Sequence, residues 1–530
     1  MGGAKSMRIQ ATILGLLLTA AVPASPALAQ SHAGHADMVA PATPQLLSGY
    51  GGGGLKIDTQ VPQAQAFFDN GLQLAAAFAH AAAVEAMKEA RRLDPACAMC
   101  VWGVAWADGP TINYNKTPEE MKGLLKLARE AQAMAAKGGD PLEKALTDAL
   151  VVRYTKGGGW GQPGDLAFAD AMQKISDQHP DNDQIASFAA DAWLQAGSED
   201  EAKMKAAARR SMAAAERVLG RNPTYTPAIH FYIHASEIAG EPAKAEPFAN
   251  RLGALAPNAQ HLVHMPSHTF YWVGRYREAG LVNRQAVEIV YAQAKAMAVP
   301  PPAGVFGVPY HLHNVTFGIG GALMAGDAET ALWLARPLVT ASLSADKALA
   351  SSQRAAAGAY VALGILADPR EILAVPEPRL PMLKGMWHYA RGEAFARLGR
   401  AADVRREQAA IPAAPEPKRK KDDYDWYGRQ TLRIASAVLD GRAAMIEGKP
   451  ALAAAAFERG SLLQEDADYG YSGDPPAWWS PVRRFEAEAR LAGGDLAGAK
   501  QSADKALKGR PLDPGSLAVL AAIESRRAAR

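Results

Sequence analysis

The sequence predicts an all-α solenoid of helix-turn-helix repeats, and three observations predict it. No alternating apolar–polar pattern of useful strand length occurs anywhere in the 530 residues. Hydrophobic residues make up 49% of the chain and aromatic residues only 7%, so the apolar material is mostly Ala and Leu, which suits closely packed helices. The phrase "helix ends at Gly, short turn, next helix" also recurs, at Gly240-Glu241-Pro242, Gly274-Arg275-Tyr276, Gly326-Asp327-Ala328, Gly399-Arg400-Ala401 and Gly494-Asp495-Leu496.

The first element is a secretory signal over residues 1–29. Lys5 and Arg8 form its positive region, Ala11 to Val22 its apolar run, and Ala27-Leu28-Ala29 its small-residue cleavage pattern. The run is too short to span a bilayer comfortably and no stop-transfer segment follows, so the mature chain is expected in the periplasm or outside the cell, with no transmembrane segment. Cleavage lowers the formal net charge from +3 to +1, which gives no electrostatic case for nucleic acid or an anionic membrane.

Residues 30–60 read as a flexible arm. It carries His32 and His35 and ends in Gly51-Gly52-Gly53-Gly54, a run that is costly to order. Regular structure is expected over 61–407. Phe67, Gly71, Leu74, Ala83, Met87, Ala90 and Pro95 fall at the spacings of a repeat of about 34 residues. Gly71 and Ala83 allow close approach of two helices, Phe67 and Leu74 fill the seam, and Pro95 opens the next helix. Cys97 and Cys100 form a Cys-x-x-Cys pair, compatible with a local disulfide, a redox pair or two metal thiolates; Val101 rather than His follows, which disfavours haem attachment. Gly109–Pro118 and Gly157–Gly164 look like insertions. Residues 408–425 read as a Pro- and Lys-rich linker, and residues 469–481, with Trp478 and Trp479 among prolines, as a second linker-like stretch. The repeat grammar returns over 426–530 at Ala487, Ala499, Ala503, Ala506 and Pro511.

On these residues the chain resembles a tetratricopeptide-repeat (TPR) protein. It is similar to exported bacterial members of that broad family with Asp94-Pro95-x-Cys97-Ala98-Met99 and Trp102-Gly103, with His264-Met265-Pro266-Ser267-His268, and with His313-Asn314. The resemblance implies an α-solenoid that binds a protein partner or small ligand on its concave face; it assigns no chemistry.

The chemistry concentrates in residues 227–324, which hold the majority of the 12 histidines. His230, His234 and Glu237 lie along one helix face. Pro266 is expected to start a helix, placing His268 in its first turn and His264 on the loop before it. His311 and His313 are two apart and cannot share one face, and His313 is taken as the inward one. First helices of successive repeats pack about 8–10 Å apart, so these imidazoles are expected to meet at one ion.

The metal set is therefore His230, His234, Glu237, His264, His268 and His313, with Zn or Cu favoured and Fe or Ni also compatible. Met265 is a further soft donor for copper but is expected in the core, and the isolated His80 and His388 are read as structural. Neither Gly-x-Ser-x-Gly, nor His-Glu-x-x-His, nor a phosphate-binding Gly-x4-Gly-Lys motif is present. Three functions follow: a partner-binding solenoid with a metal or polar site, a His-ligated hydrolytic or oxidative metalloenzyme with Glu237 as ligand or general base, or a periplasmic metal-handling protein.

Overall fold

A computed structural model describes residues 44–528, apart from 139, 297–304, 346–349, 414–423, 467–468, 470–475 and 477. The signal, His32 and His35 lie outside the described residues, as does most of the 408–425 linker. Several helices start at a proline or a capping side chain, and two of those that carry histidines stop at glycine. Pro62 opens the first helix, Pro62–Ala76. Thr117 and Glu120 form a reciprocal capping box at the start of Pro118–Ala135, and Asp140, Asn182 and Asp200 each cap a following helix through a side-chain oxygen. The Thr226–Ala239 and His311–Ala325 helices end at Gly240 and Gly326, both left-handed, a conformation that costs glycine nothing.

Successive helices pair as antiparallel hairpins that stack on their neighbours, giving an all-α solenoid of TPR-like units. Among the described residues every regular element is helical, and no helix is long and apolar enough to cross a membrane. Close approach relies on small residues. A Cβ at Gly71 would lie 2.7 Å from Met87, in the seam between the first helix and His80–Leu93.

Two large apolar cores run through the array, one from Leu55 to Ala279 and the other from Tyr271 to Ala489. They meet at residues 271–279, within the histidine window. Cys97 and Cys100 are joined by a disulfide and buried at the start of Ala98–Ala107, so they offer no free thiolate.

Two expectations need correction. The described part of the N-terminal arm, from Pro44, is not a loose leader: Leu55 and Ile57 are buried in the first core, and the glycine run is hydrogen-bonded along the repeats. Nor do Trp478 and Trp479 behave as linker residues. Both are buried; Trp479 packs on Tyr271 and Phe317 at ring separations of 4.7 and 5.5 Å, and Gly320 leaves room for its indole. Apolar area buried by two indoles outweighs the local irregularity of a proline-rich segment.

Candidate metal centre

Three helical segments supply the imidazoles. The first is Thr226–Ala239, carrying His230 and His234 one turn apart. The second is the pair Gln260–His264 and Pro266–Trp272. Met265 between them keeps helical backbone angles, so the proline interrupts one hydrogen bond without turning the chain away. His264 thus sits on a short helix and not on a loop, and it remains one turn from His268. The third segment is His311–Ala325, which turns His313 inward, while His311 faces Tyr291 and Phe306.

The imidazoles converge as two trios, not on the single ion expected. His230, His234 and His261 form one and His264, His268 and His313 the other; within each, the candidate ligand atoms all lie within 4.8 Å of one another. The trios adjoin, with ring separations of 5.5 Å from His234 to His268 and 5.7 Å from His261 to His264. Five of the six rings are buried, so the centre lies inside the array and not on an open concave wall; His313 is half-buried. His261 is the member that sequence reasoning left out, although its spacing of three from His264 already placed the two on one helical face.

Glu237, expected as a ligand or base, holds a ligand instead. Its Oε2 accepts from His268 Nδ1 at 2.8 Å and its Oε1 from Trp272 Nε1 at 2.5 Å. Other groups anchor the remaining rings. Asn283 donates its amide to the Ala279 carbonyl at 2.7 Å, which leaves its Oδ1 to accept from His264 Nδ1 at 2.6 Å. The carbonyl of Ala76, at the end of the first helix, accepts from His230 Nδ1 at 2.7 Å. Phe78 then stacks on His261 and sets its edge against His230. Asn314, the next residue after His313, donates its amide to Gln260 Oε1. Asn283, Ala76 and Phe78 carry no local sequence signal, because each is defined only by what it meets across the fold.

These anchors fix the tautomers of His230, His264 and His268. A ring that donates from Nδ1 carries a bare lone pair on Nε2 when neutral. His264 and His268 both donate from Nδ1, and their Nε2 atoms lie 2.9 Å apart. His313 Nε2 is 3.0 Å from the same His264 atom, and His230 Nε2 is 3.2 Å from His261 Nε2. His234 Nε2 is buried without a hydrogen-bond partner. Burial holds His230 and His313 down to about 3, and holds His234, His261 and His264 well below their ordinary value of 6.5; neighbouring imidazoles push the same way.

Facing lone pairs in an apolar interior repel unless a cation lies between them. An ion with three imidazoles at about 2.0–2.1 Å in tetrahedral geometry would hold their nitrogens about 3.3 Å apart, a few tenths from the 2.9, 3.0 and 3.2 Å of three of the pairs, the others lying within 4.8 Å. The His264, His268 and His313 set therefore fits an imidazole-bound transition metal with one coordination position left over, and the His230, His234 and His261 set offers the same three donors within 4.8 Å of one another.

No protein-family model and no curated protein matches the chain. Solved structures that it resembles include the human IFIT1 dimer with m7Gppp-AAAA, at 11% identity and a TM-score of 0.30 over 78% of this chain and 90% of that one. A second is Naa15/Naa10 bound to HypK-THB, at 11% identity and a TM-score of 0.24 over 86% of this chain and 64% of that chain. A third is the TPR domain of P58(IPK), at 12% identity and a TM-score of 0.21 over 87% of this chain and 97% of that chain. The likeness is of fold alone.

Proposed function

We propose that the chain is an exported TPR-like solenoid that binds two transition-metal ions, one in each histidine trio, with copper or zinc the best fit. The TPR-like fold itself implies binding of a protein or ligand; the metal reading rests on the trios. The observation that carries it is the pair of Nε2 lone pairs of His264 and His268, held at 2.9 Å by partners that occupy both Nδ1 protons. Neither trio contains a thiolate or carboxylate, and all-imidazole sites suit Cu and Zn along the usual affinity order. Export is inferred from the signal-like residues 1–29 and accords with the buried disulfide.

The test is metal analysis of untagged mature protein, as isolated and after reconstitution with Cu or Zn. Two equivalents are expected, with His234→Ala and His268→Ala each retaining one while the helical circular dichroism persists. A folded protein that takes up no stoichiometric metal sinks the reading.

A second reading has its own support. Three protein ligands per ion is the count found in catalytic zinc sites, where the fourth position holds water or substrate. On that reading the centre is hydrolytic or oxidative, and Glu237 is a positioning residue for His268 rather than a base. A metal-handling role is told apart by rapid exchange of the bound ions with chelators.

A further inference from the structure

The segment that precedes the first helix is held in an unusual way. Between Leu47 and Ile57 its main chain, not its side chains, makes nearly all the polar contacts. Asn70 clamps Leu47 at both ends, accepting from its N–H at 2.9 Å and donating to its carbonyl at 2.8 Å. Gln65 does the same across two residues, donating to the Leu55 carbonyl at 2.9 Å and accepting from the Ile57 N–H at 3.1 Å. Asp69 accepts from Leu55 N–H at 3.0 Å, and Gln73 donates to the Gly53 carbonyl at 2.9 Å. These four side chains stand on one face of the first helix.

The opposite wall comes from repeats far along the chain. Gln184 accepts from Gly54 N–H at 3.2 Å and Thr226 from Gly52 N–H at 2.7 Å. Asn258 donates its side-chain amide to the Ser48 carbonyl at 3.0 Å and its backbone N–H to that of Gly49 at 2.9 Å. Two walls of amide, carboxylate and hydroxyl groups thus read one stretch of main chain, as grooves that bind peptides do.

The glycines set what fits. A Cβ on Gly51 would lie 2.4 Å from Thr226 Oγ1 and one on Gly54 2.9 Å from Asp69 Oδ1, while Gly49, Gly51 and Gly53 have φ of 79°, 92° and 124°. Leu55 and Ile57 supply the apolar anchor.

We propose that this groove is a peptide-binding site for glycine-rich segments ending in an apolar anchor, filled in the isolated chain by its own residues 45–57. The resident segment and a peptide in trans compete for the same side chains. Occupancy also bears on the histidine centre, since Thr226 opens the helix carrying His230 and the first helix ends at Ala76. The proposal does not depend on bound metal.

A protease site inserted at the exposed Gln60 allows the folded, full-length protein to be cut after folding, and a labelled peptide of residues 45–58 is then added. We expect the severed segment to co-elute with the body, to be exchanged by the labelled peptide, and to be displaced at least tenfold less well by the same peptide carrying Gly51→Val and Gly54→Val. Three results overturn the proposal: the severed segment leaves and the labelled peptide fails to bind, the segment leaves only when circular dichroism reports unfolding, or the valine peptide competes as well as the native one.

Discussion

Replacement of Glu237 by glutamine tests the centre most sharply, because it changes one charge and no shape. The carboxylate receives two donors, His268 Nδ1 and Trp272 Nε1, one on each oxygen. Glutamine offers one oxygen and one NH2 group, so one donor must face another donor. If the oxygen turns to Trp272, His268 cannot keep its proton on Nδ1; the proton moves to Nε2 and the lone pair is lost. If the oxygen turns to His268, the tautomer survives but the ring loses a carboxylate partner and becomes less basic. Loss of such a partner lowers metal affinity by about 10–100-fold, or about 1.4–2.7 kcal/mol. Only the His264, His268 and His313 trio should feel it. A chelator-competition titration of Glu237→Gln is therefore expected to show one weakened and one unchanged equivalent. Two unchanged equivalents would refute the argument, as would equal weakening of both in a protein that remains fully helical. Trp272→Phe, which removes the other donor and spares the tautomer, should stay close to the parent.

Three further outcomes follow from the packing. His230 and His313 are held down to about 3 in the fold by burial, so the unfolded chain takes up protons first as pH falls below 6.5. The metal-free protein should keep its full contribution from these residues above about pH 6.5 and lose about 1.4 kcal/mol per pH unit for each toward about pH 3; a melting temperature that does not fall across that window contradicts their burial. Gly320→Ala would put a Cβ 2.0 Å from the Trp479 ring, so overpacking should cost about 1–3 kcal/mol in denaturant unfolding and shift the indole emission. The Cys97–Cys100 bridge closes a loop of sequence separation 3, so its reduction should cost about 2 kcal/mol at most and leave metal stoichiometry unchanged; loss of a metal equivalent would mean the thiols matter to the centre.

The helical hairpins were legible because their signals are local. Pro62, Thr117 and Asp140 mark starts and Gly240 and Gly326 mark stops within a few residues of where the chain obeys them. The histidine window was legible as a concentration of ligands, but its partition into two trios was not. Whether His261 joins His230 or His264 depends on how two repeats dock, and no spacing within either helix encodes that. Glu237 looked like a ligand because it continues the His230–His234 face; only the arrival of His268 and Trp272 from the next repeat makes it their acceptor. The arm and the Trp478–Trp479 stretch were misread for a related reason. Glycine and proline report what a segment does alone, and both segments are ordered by distant surfaces.

Trp479 and its neighbours also change how the array should come apart. In an ideal solenoid each unit touches only the next, and the ends fray first. Here Tyr276 donates its hydroxyl to the Pro511 carbonyl at 2.7 Å across 235 residues, and the Arg510 guanidinium lies 5.1 Å from the centre of the Tyr271 ring. The last hairpins are thereby stapled to the middle of the molecule, next to the imidazoles. A chain that loses its final hairpins keeps all six clustered imidazoles yet loses the Trp479 indole packed on Phe317, whose ring lies 4.7 Å from that of His268. Unfolding from the carboxyl end is at the same time a loosening of the histidine cluster.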